Sequence, residues 1–253
     1  MKDKTSSDIN SEFFTITTNQ FGFYSAILLA VIAVITFGLA LTAVPISGPF
    51  CLEGCIEYPY LDTLSQFPKD YLWLFPATLL VLVYVILITV VHSIAINQKK
   101  IFSQIGLSFS IIASVILLVD YFIQFSVIPV SLLKGQTESI SLLTQYNPHG
   151  VFIVLEELGY LMMSLSFLFI SLIFSKKNRL ETAVRWVFLA GSILTIISLI
   201  LIIIGYGIER SYRFEVAVIT IDWSVLIING ILLSLLFRRR LKTERVMNLS
   251  TTE

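Results

Sequence analysis

The stretch from Tyr71 to Ala95 reads YLWLFPATLLVLVYVILITVVHSIA and contains no Asp, Glu, Lys or Arg. A run of about 20 apolar residues is long enough to cross the roughly 30 Å of hydrocarbon in a bilayer as an α-helix. Backbone groups in lipid must hydrogen-bond within their own segment, so the run is predicted to be helical despite its many β-branched residues. This stretch is therefore interpreted as a transmembrane helix.

Five further runs of the same kind accompany it, and together they predict an all-α fold, a polytopic bundle of six transmembrane helices. The six apolar runs lie at residues 22–45, 71–95, 104–131, 151–174, 186–207 and 215–237. The composition agrees, because 56% of the residues are hydrophobic and only 13% are charged, whereas a soluble domain has roughly 25% charged residues. The predicted organisation is a cytoplasmic segment at 1–21, a membrane domain at 22–237 and a basic cytoplasmic tail at 238–253.

The basic residues are distributed unevenly between the two sides of this predicted bundle. Of the 17 Lys and Arg residues, 13 fall in the two termini and in the second and fourth loops, and 4 fall in the other three loops or at their edges. Cytoplasmic loops carry the excess of Lys and Arg in membrane proteins. The sequence therefore predicts that both termini are cytoplasmic and that the chain is a multi-pass protein of the cell membrane, in contact with membrane lipids. The net charge of zero gives no sign of a nucleic-acid partner.

Two cysteines, Cys51 and Cys55, lie in the first predicted outer loop, in the segment CLEGC. This loop is on the oxidising side of a prokaryotic plasma membrane, so a small disulfide is one interpretation and two free thiols are the other. Two cysteines without a nearby His are too few for a zinc site. Neither a metal nor a cofactor is predicted.

Polar residues inside the predicted helices are the main functional candidates, because charge in hydrocarbon is costly and usually faces a bundle interior or an aqueous cavity. The candidates for binding a ligand or a proton are Asp120, Gln124, His149, Glu156, Glu157, Tyr160, Asp222 and Asn229. Four of them are carboxyl groups, and no Lys or Arg is predicted at their depth. His149 also belongs to the segment NPHG, which is typical of a helix start.

The predicted depths place these carboxyl groups in one slab of the outer leaflet. At about 1.5 Å per residue, Glu156 and Asp222 lie about 8–10 Å below the outer boundary, and Asp120 lies somewhat deeper. If Asp120, Glu156 and Asp222 converge, they form an outward-facing acidic pocket in which at least one of them holds a proton. Glu156 and Glu157 point about 100° apart, so only one of them can face such a pocket squarely. The other interpretation is that these groups form structural hydrogen bonds between helices.

Three functions fit this pattern. The first is binding or translocation of a small molecule or cation through the acidic pocket. The second is a membrane-embedded enzyme acting on a lipid or prenyl-type substrate, with Glu156, Asp120 and His149 as acid/base groups. The third is a structural or accessory membrane subunit. No phosphate-binding loop, zinc-protease motif or nucleophile elbow occurs in the sequence, so the sequence leaves open whether the protein is an enzyme.

The stretch from Asn147 to Phe169 reads NPHGVFIVLEELGYLMMSLSFLF. It resembles a segment of uncharacterised bacterial and archaeal six-helix membrane proteins that are grouped as a domain of unknown function. The layout of the whole chain is similar to theirs, and this stretch is the specific part. Because those proteins have no established activity, the resemblance implies a prokaryotic plasma-membrane protein. The residues it draws attention to are Asn147, His149, Glu156, Glu157, Gly159 and Tyr160.

Overall fold

The computed structural model describes residues 6–43, 46–176 and 178–251, and the fold of these residues is all-helical. Its α-helices are α1 (Ser6–Ala40), α2 (Leu74–Ser93), α3 (Lys100–Ser126), α4 (Ile128–Leu133), α5 (Ile140–Leu143), α6 (Val151–Ser171), α7 (Arg179–Tyr206) and α8 (Arg213–Thr251). Short 3-10 turns lie at Gly48–Phe50, Leu61–Gln66, Lys69–Tyr71, Asn97–Lys99 and Gly207–Arg210. Lys2, Lys4 and Lys177, which contribute to the charge asymmetry, lie outside the described residues.

Six helical stretches in the described part of the chain are long and apolar enough to cross a bilayer, which confirms the predicted fold class. They cover residues 17–40, 69–93, 97–133, 151–171, 179–210 and 213–244. The helices themselves extend beyond the apolar runs, since α1 begins at Ser6 and α8 continues to Thr251. Apolar content fixes where a helix can cross lipid, but helix-forming polar residues can continue it into water.

The start of α7 illustrates how a helix end is set by capping. The apolar run predicts a start near residue 186, but α7 begins at Arg179. Asn178 is its N-cap, and the Asn178 side chain accepts a hydrogen bond of 3.1 Å from the Leu180 N–H. A capping side chain satisfies one of the free N–H groups at a helix start, so the helix begins seven residues before its apolar part.

The bundle is arranged around α6 and α8. Helix α8 packs against α1, α6 and α7, and α6 packs against α3, α7 and α8, while α2 lies between α1 and α3. The core is aromatic and aliphatic, with Trp223, Tyr84 and Phe167 fully buried. Large aliphatic side chains such as Ile204 on α7 are exposed, as expected of a surface that faces lipid.

The two ends of the bundle differ in their connections. One end carries the segment 46–68 and the connections from α3 to α6 and from α7 to α8. It is here called the disulfide end, because Cys51 and Cys55 of this segment form a disulfide. The other end, here called the terminal end, carries both chain termini. At the disulfide end the Ser47 hydroxyl lies 2.6 Å from the Tyr212 hydroxyl and donates to the Tyr146 carbonyl at 2.5 Å. These bonds connect three loops into one cap.

Candidate functional site

A cavity of about 220 Å³ lies under this cap, at the disulfide end of the bundle between α1 and α8. Helices α1 and α8 form one side of its wall, and the starts of α2 and α6 form the other. The lining residues are Phe37, Ala40, Leu41, Ala43, Asp70, Trp73, Gln145, Tyr146, Phe152, Tyr212, Glu215, Val216, Ile219, Thr220 and Trp223. Most of the wall is therefore aromatic or aliphatic, and the only acidic members of this set are Asp70 and Glu215.

The two carboxyl groups of the wall are buried on different elements. Asp70 is 6% exposed and Glu215 is 9% exposed. The Tyr146 hydroxyl donates a hydrogen bond of 3.1 Å to Asp70 Oδ2, whereas Glu215 Oε2 has no hydrogen-bond partner among the described residues. No Lys, Arg or His is among the described residues that line the cavity. The cavity thus combines two buried acidic groups with aromatic side chains and lacks a basic counterpart.

Two further carboxyl groups lie behind Glu215, away from the cavity wall. Glu156 of α6 is fully buried, and its carboxyl group interacts electrostatically with that of Glu215. Asp120 of α3 is 1% exposed and interacts electrostatically with both of them. Neither oxygen of Glu156 receives a hydrogen bond from a donor in the described part of the chain. Asp120, Glu156 and Glu215 are named here the acidic triad.

A hydrogen-bonded aromatic chain fixes the wall next to the triad. Trp223 Nε1–H donates to the Tyr160 hydroxyl at 2.9 Å, and the Tyr160 hydroxyl lies 2.7 Å from that of Tyr121. All three side chains are buried. Because Trp223 lines the cavity, these bonds hold one of its aromatic faces in place. Tyr160 is therefore a positioning residue behind the wall.

Asp222 belongs to a different polar group, nearer the middle of the bundle. The Ser164 hydroxyl lies 2.7 Å from Asp222 Oδ1 and 2.8 Å from the Thr195 hydroxyl. The Ser192 hydroxyl donates to the Ser164 carbonyl at 2.7 Å. Asn229, two turns further along α8, is also buried, and neither of its amide atoms has a partner among the described residues. Asp222 therefore connects α8 to α6 and α7 rather than lining the cavity.

Three other predicted candidates have local structural roles. Glu157 forms a salt bridge of 2.5 Å with Arg210. Gln124 donates to the Leu143 carbonyl at 2.6 Å and accepts from the Gln145 N–H at 2.9 Å, so it holds the segment that leads into α6. His149 is exposed, and its backbone N–H donates to the Asn147 side chain, which is the geometry of a local turn before the helix.

The structure thus brings together only part of the predicted set. Asp120 and Glu156 interact with each other, Asp222 is bonded to Ser164, and His149 is exposed whereas Glu156 is fully buried. Asp70 and Glu215 were missed because both lie at the edges of apolar runs, where a carboxyl group is expected to reach water. Their position in the sequence does not reveal that the cap of loops covers them.

The two cysteines lie away from the cavity wall. Cys51 and Cys55 form a disulfide with a Cα–Cα distance of 5.8 Å. The bond closes a short loop around Gly54, which has a φ of 66° that glycine adopts readily. The disulfide therefore shapes the segment 46–68 that contributes to the cap.

The fold defines a multi-pass integral membrane protein with six candidate spans. No family model, curated protein or solved structure matches the chain. The resemblance of residues 147–169 to six-helix prokaryotic membrane proteins is not tested by these comparisons. The cavity and the acidic triad are therefore the features from which a function can be inferred.

Proposed function

We propose that this protein binds a small organic cation in the cavity between α1 and α8. The observation that carries the proposal is the presence of two buried carboxyl groups, Asp70 and Glu215, in an aromatic wall. An anion would be repelled by both groups, and an uncharged apolar ligand would leave Glu215 Oε2 without a polar partner, which is costly in a buried site. A cation that bears alkyl groups suits both the acidic and the aromatic parts of the wall.

The aromatic side chains support a quaternary or substituted ammonium group in particular. Trp73, Tyr146, Tyr212 and Trp223 all line the cavity, and an ammonium group is attracted to the faces of Trp and Tyr rings by about 0.5–2 kcal/mol. The volume of about 220 Å³ is smaller than the roughly 300–1,000 Å³ of pockets for drug-sized molecules. The ligand is therefore a small ammonium compound.

The proposal is tested by titrating the purified full-length protein with choline and recording tryptophan fluorescence. Trp73 and Trp223 line the cavity and Trp186 does not, so a saturable change that survives Trp186→Phe reports on the cavity. Glu215→Gln is expected to weaken choline binding about tenfold or more, because a hydrogen bond or contact to a charged group contributes about 1.5–3 kcal/mol.

Two controls separate specific binding from a general effect of charge. Asp62→Asn removes an exposed carboxyl group from the same end of the molecule and is expected to leave the affinity unchanged. Dimethylbutanol, the uncharged carbon isostere of choline, is expected to bind more weakly than choline. No saturable signal, or equal affinity for the two compounds, would contradict the proposal.

The disulfide end is proposed to face the cell exterior, so that the cavity takes its ligand from outside the cell membrane. The support is the uneven distribution of Lys and Arg, with 13 of the 17 in the termini and in or next to the loops at the terminal end. In a background without Cys51 and Cys55, an impermeant thiol reagent applied to intact cells should label Thr137→Cys and leave Asn178→Cys unlabelled. The reverse labelling would show that the orientation is opposite.

A further inference from the structure

We infer that a proton-binding site lies directly behind the cavity, formed by the acidic triad, and that a cation entering the cavity releases this proton. The proton site is independent of the cation, whereas the exchange of one for the other rests on the proposed function. The protein would then take up one organic cation in exchange for one proton.

The contact between Glu156 and Glu215 carries the first step. The carboxyl groups of Glu156 and Glu215 interact electrostatically, Glu156 is fully buried, and each of the two groups has at least one buried oxygen without a hydrogen-bond partner among the described residues. A carboxylate can only accept hydrogen bonds, so two carboxyl groups bond to each other only when one of them carries a proton. Neither oxygen of Glu156 accepts a hydrogen bond from another described residue, and the Tyr121 hydroxyl that faces Glu156 is engaged with the Tyr160 hydroxyl at 2.7 Å. A proton is the ligand that turns this repulsive contact into a hydrogen bond.

Among the described residues, the surrounding elements offer no unpaired positive charge that could replace the proton. Helix α3 contributes Asp120, a third carboxyl group. Helix α6 contributes Glu157, which is engaged with Arg210, and the turn before α8 contributes the Tyr212 hydroxyl, whose hydrogen bonds go to the cap of loops. The Tyr121 hydroxyl also faces Glu156.

The described residues on the other walls of the cavity also supply no positive charge. Asp70 lies across the cavity at the start of the second span. Phe37 and Ala40 of α1 and Leu41, which follows α1, carry no ionisable group. Arg210 is paired with Glu157, the residue next to Glu156 in the chain. The negative charge of the triad can therefore be offset either by a bound proton or by a cation in the cavity.

Glu215 couples the two ligands because it belongs to both sites. It lines the cavity and it contacts Glu156. A cation next to Glu215 stabilises the ionised carboxylate and removes the advantage of the shared proton. The carboxyl O–H bond then breaks, the proton passes to water, and one positive charge enters the buried site as one leaves it. A bound proton weakens cation binding in the same way, since linkage is reciprocal.

The proton site is tested without any ligand by infrared difference spectroscopy of the full-length protein. The wild-type spectrum is expected to contain the C=O band of a protonated carboxyl group, and this band should be lost in Glu156→Gln and lost or shifted in Glu215→Gln. Glu157→Gln is the matched control, because it removes the adjacent carboxyl group that is paired with Arg210, and it should keep the band. If no band depends on Glu156 or Glu215 between mildly acidic and mildly alkaline pH, the proton site is refuted, whatever choline does.

The exchange is tested by adding choline to the wild-type protein, which requires no variant to fold. The carboxyl band should decrease, and a pH indicator in weak buffer should register one proton released per choline bound. Because one proton competes with one cation, the affinity should increase up to tenfold per pH unit on the acidic side of the titration. In Glu156→Gln, whose amide can donate to Glu215 without releasing a proton, choline binding should persist and become independent of pH.

The proton site and the exchange of a cation for a proton can be refuted separately. If choline binds without proton release and without a change in the carboxyl band, the exchange is refuted and the cation site stands. If choline does not bind but the band that depends on Glu156 is present, the proton site stands, and the proposed function and the exchange are refuted together.

Discussion

The two halves of the α1–α8 pair are packed in opposite ways. Toward the terminal end the helices touch: a Cβ at Gly230 would lie 2.9 Å from the Ala26 carbonyl oxygen, and one at Gly22 would lie 2.7 Å from the Phe237 ring. Toward the disulfide end the same two helices are separated by the cavity. Small residues permit close contact between transmembrane helices, so Gly22 and Gly230 allow the close packing of the half of the pair toward the terminal end.

The buried carboxyl groups of α8 show the same contrast in their surroundings. Asp222 accepts a hydrogen bond from Ser164, which is itself bonded to Thr195. Each group has one oxygen without a partner in the described chain, but Glu215, two turns earlier, faces Glu156 and the cavity instead of a hydroxyl donor. A buried carboxyl group that has hydroxyl donors connects helices, whereas one that meets another carboxyl group remains available to a ligand.

The largest expected loss of stability comes from placing a large side chain where α1 and α8 are in close contact. Gly230→Leu places a side chain where even a Cβ lies 2.9 Å from the Ala26 carbonyl oxygen and the Ala30 Cβ. Overpacking of this kind is expected to lower the free energy of unfolding by about 3 kcal/mol. Denaturant unfolding in mild detergent, followed by helical circular dichroism, measures this change.

Gly38 provides the matched control in the open half of the pair. A Cβ at Gly38 would meet nothing within 4 Å, so Gly38→Ala is expected to leave the stability unchanged or to raise it by up to about 1 kcal/mol through better helix propensity. Equal losses of stability in Gly230→Leu and Gly38→Ala would contradict the difference between the two halves.

A smaller change in stability is expected to distinguish Asp222 from Glu215, the two buried carboxyl groups of α8. Asp222→Ala removes the carboxyl group that the Ser164 hydroxyl contacts, leaves that hydroxyl only its bond to Thr195, and should lower the free energy of unfolding by about 1–3 kcal/mol. Glu215→Gln replaces a carboxyl group that meets another carboxyl group by a neutral amide, and should leave stability unchanged or increased while it weakens choline binding. The two variants are compared in the same unfolding assay without ligand. A larger loss in Glu215→Gln than in Asp222→Ala would show that Glu215 is the structural residue of the two.

Part of the candidate site was accessible from the sequence for a simple reason. A carboxyl group in the middle of an apolar run stands out, so Asp120, Glu156 and Asp222 could be selected from their residue type and position alone. Whether they share a cavity depends on how each helix is rotated and how it crosses its neighbours. Apolar runs that face lipid on one side and protein on the other carry little information about this rotation.

The sequence by itself determined the fold class, six candidate spans and the uneven distribution of positive charge, because these follow from the thickness of the bilayer and the cost of moving charge across it. The tertiary structure decided that Glu215 replaces Asp222 as the partner of Glu156, and that Asp70 joins Glu215 in an aromatic cavity. These contacts join residues far apart in the chain, and they depend on side-chain packing between helices and on the cap of loops, for which no regular sequence pattern exists.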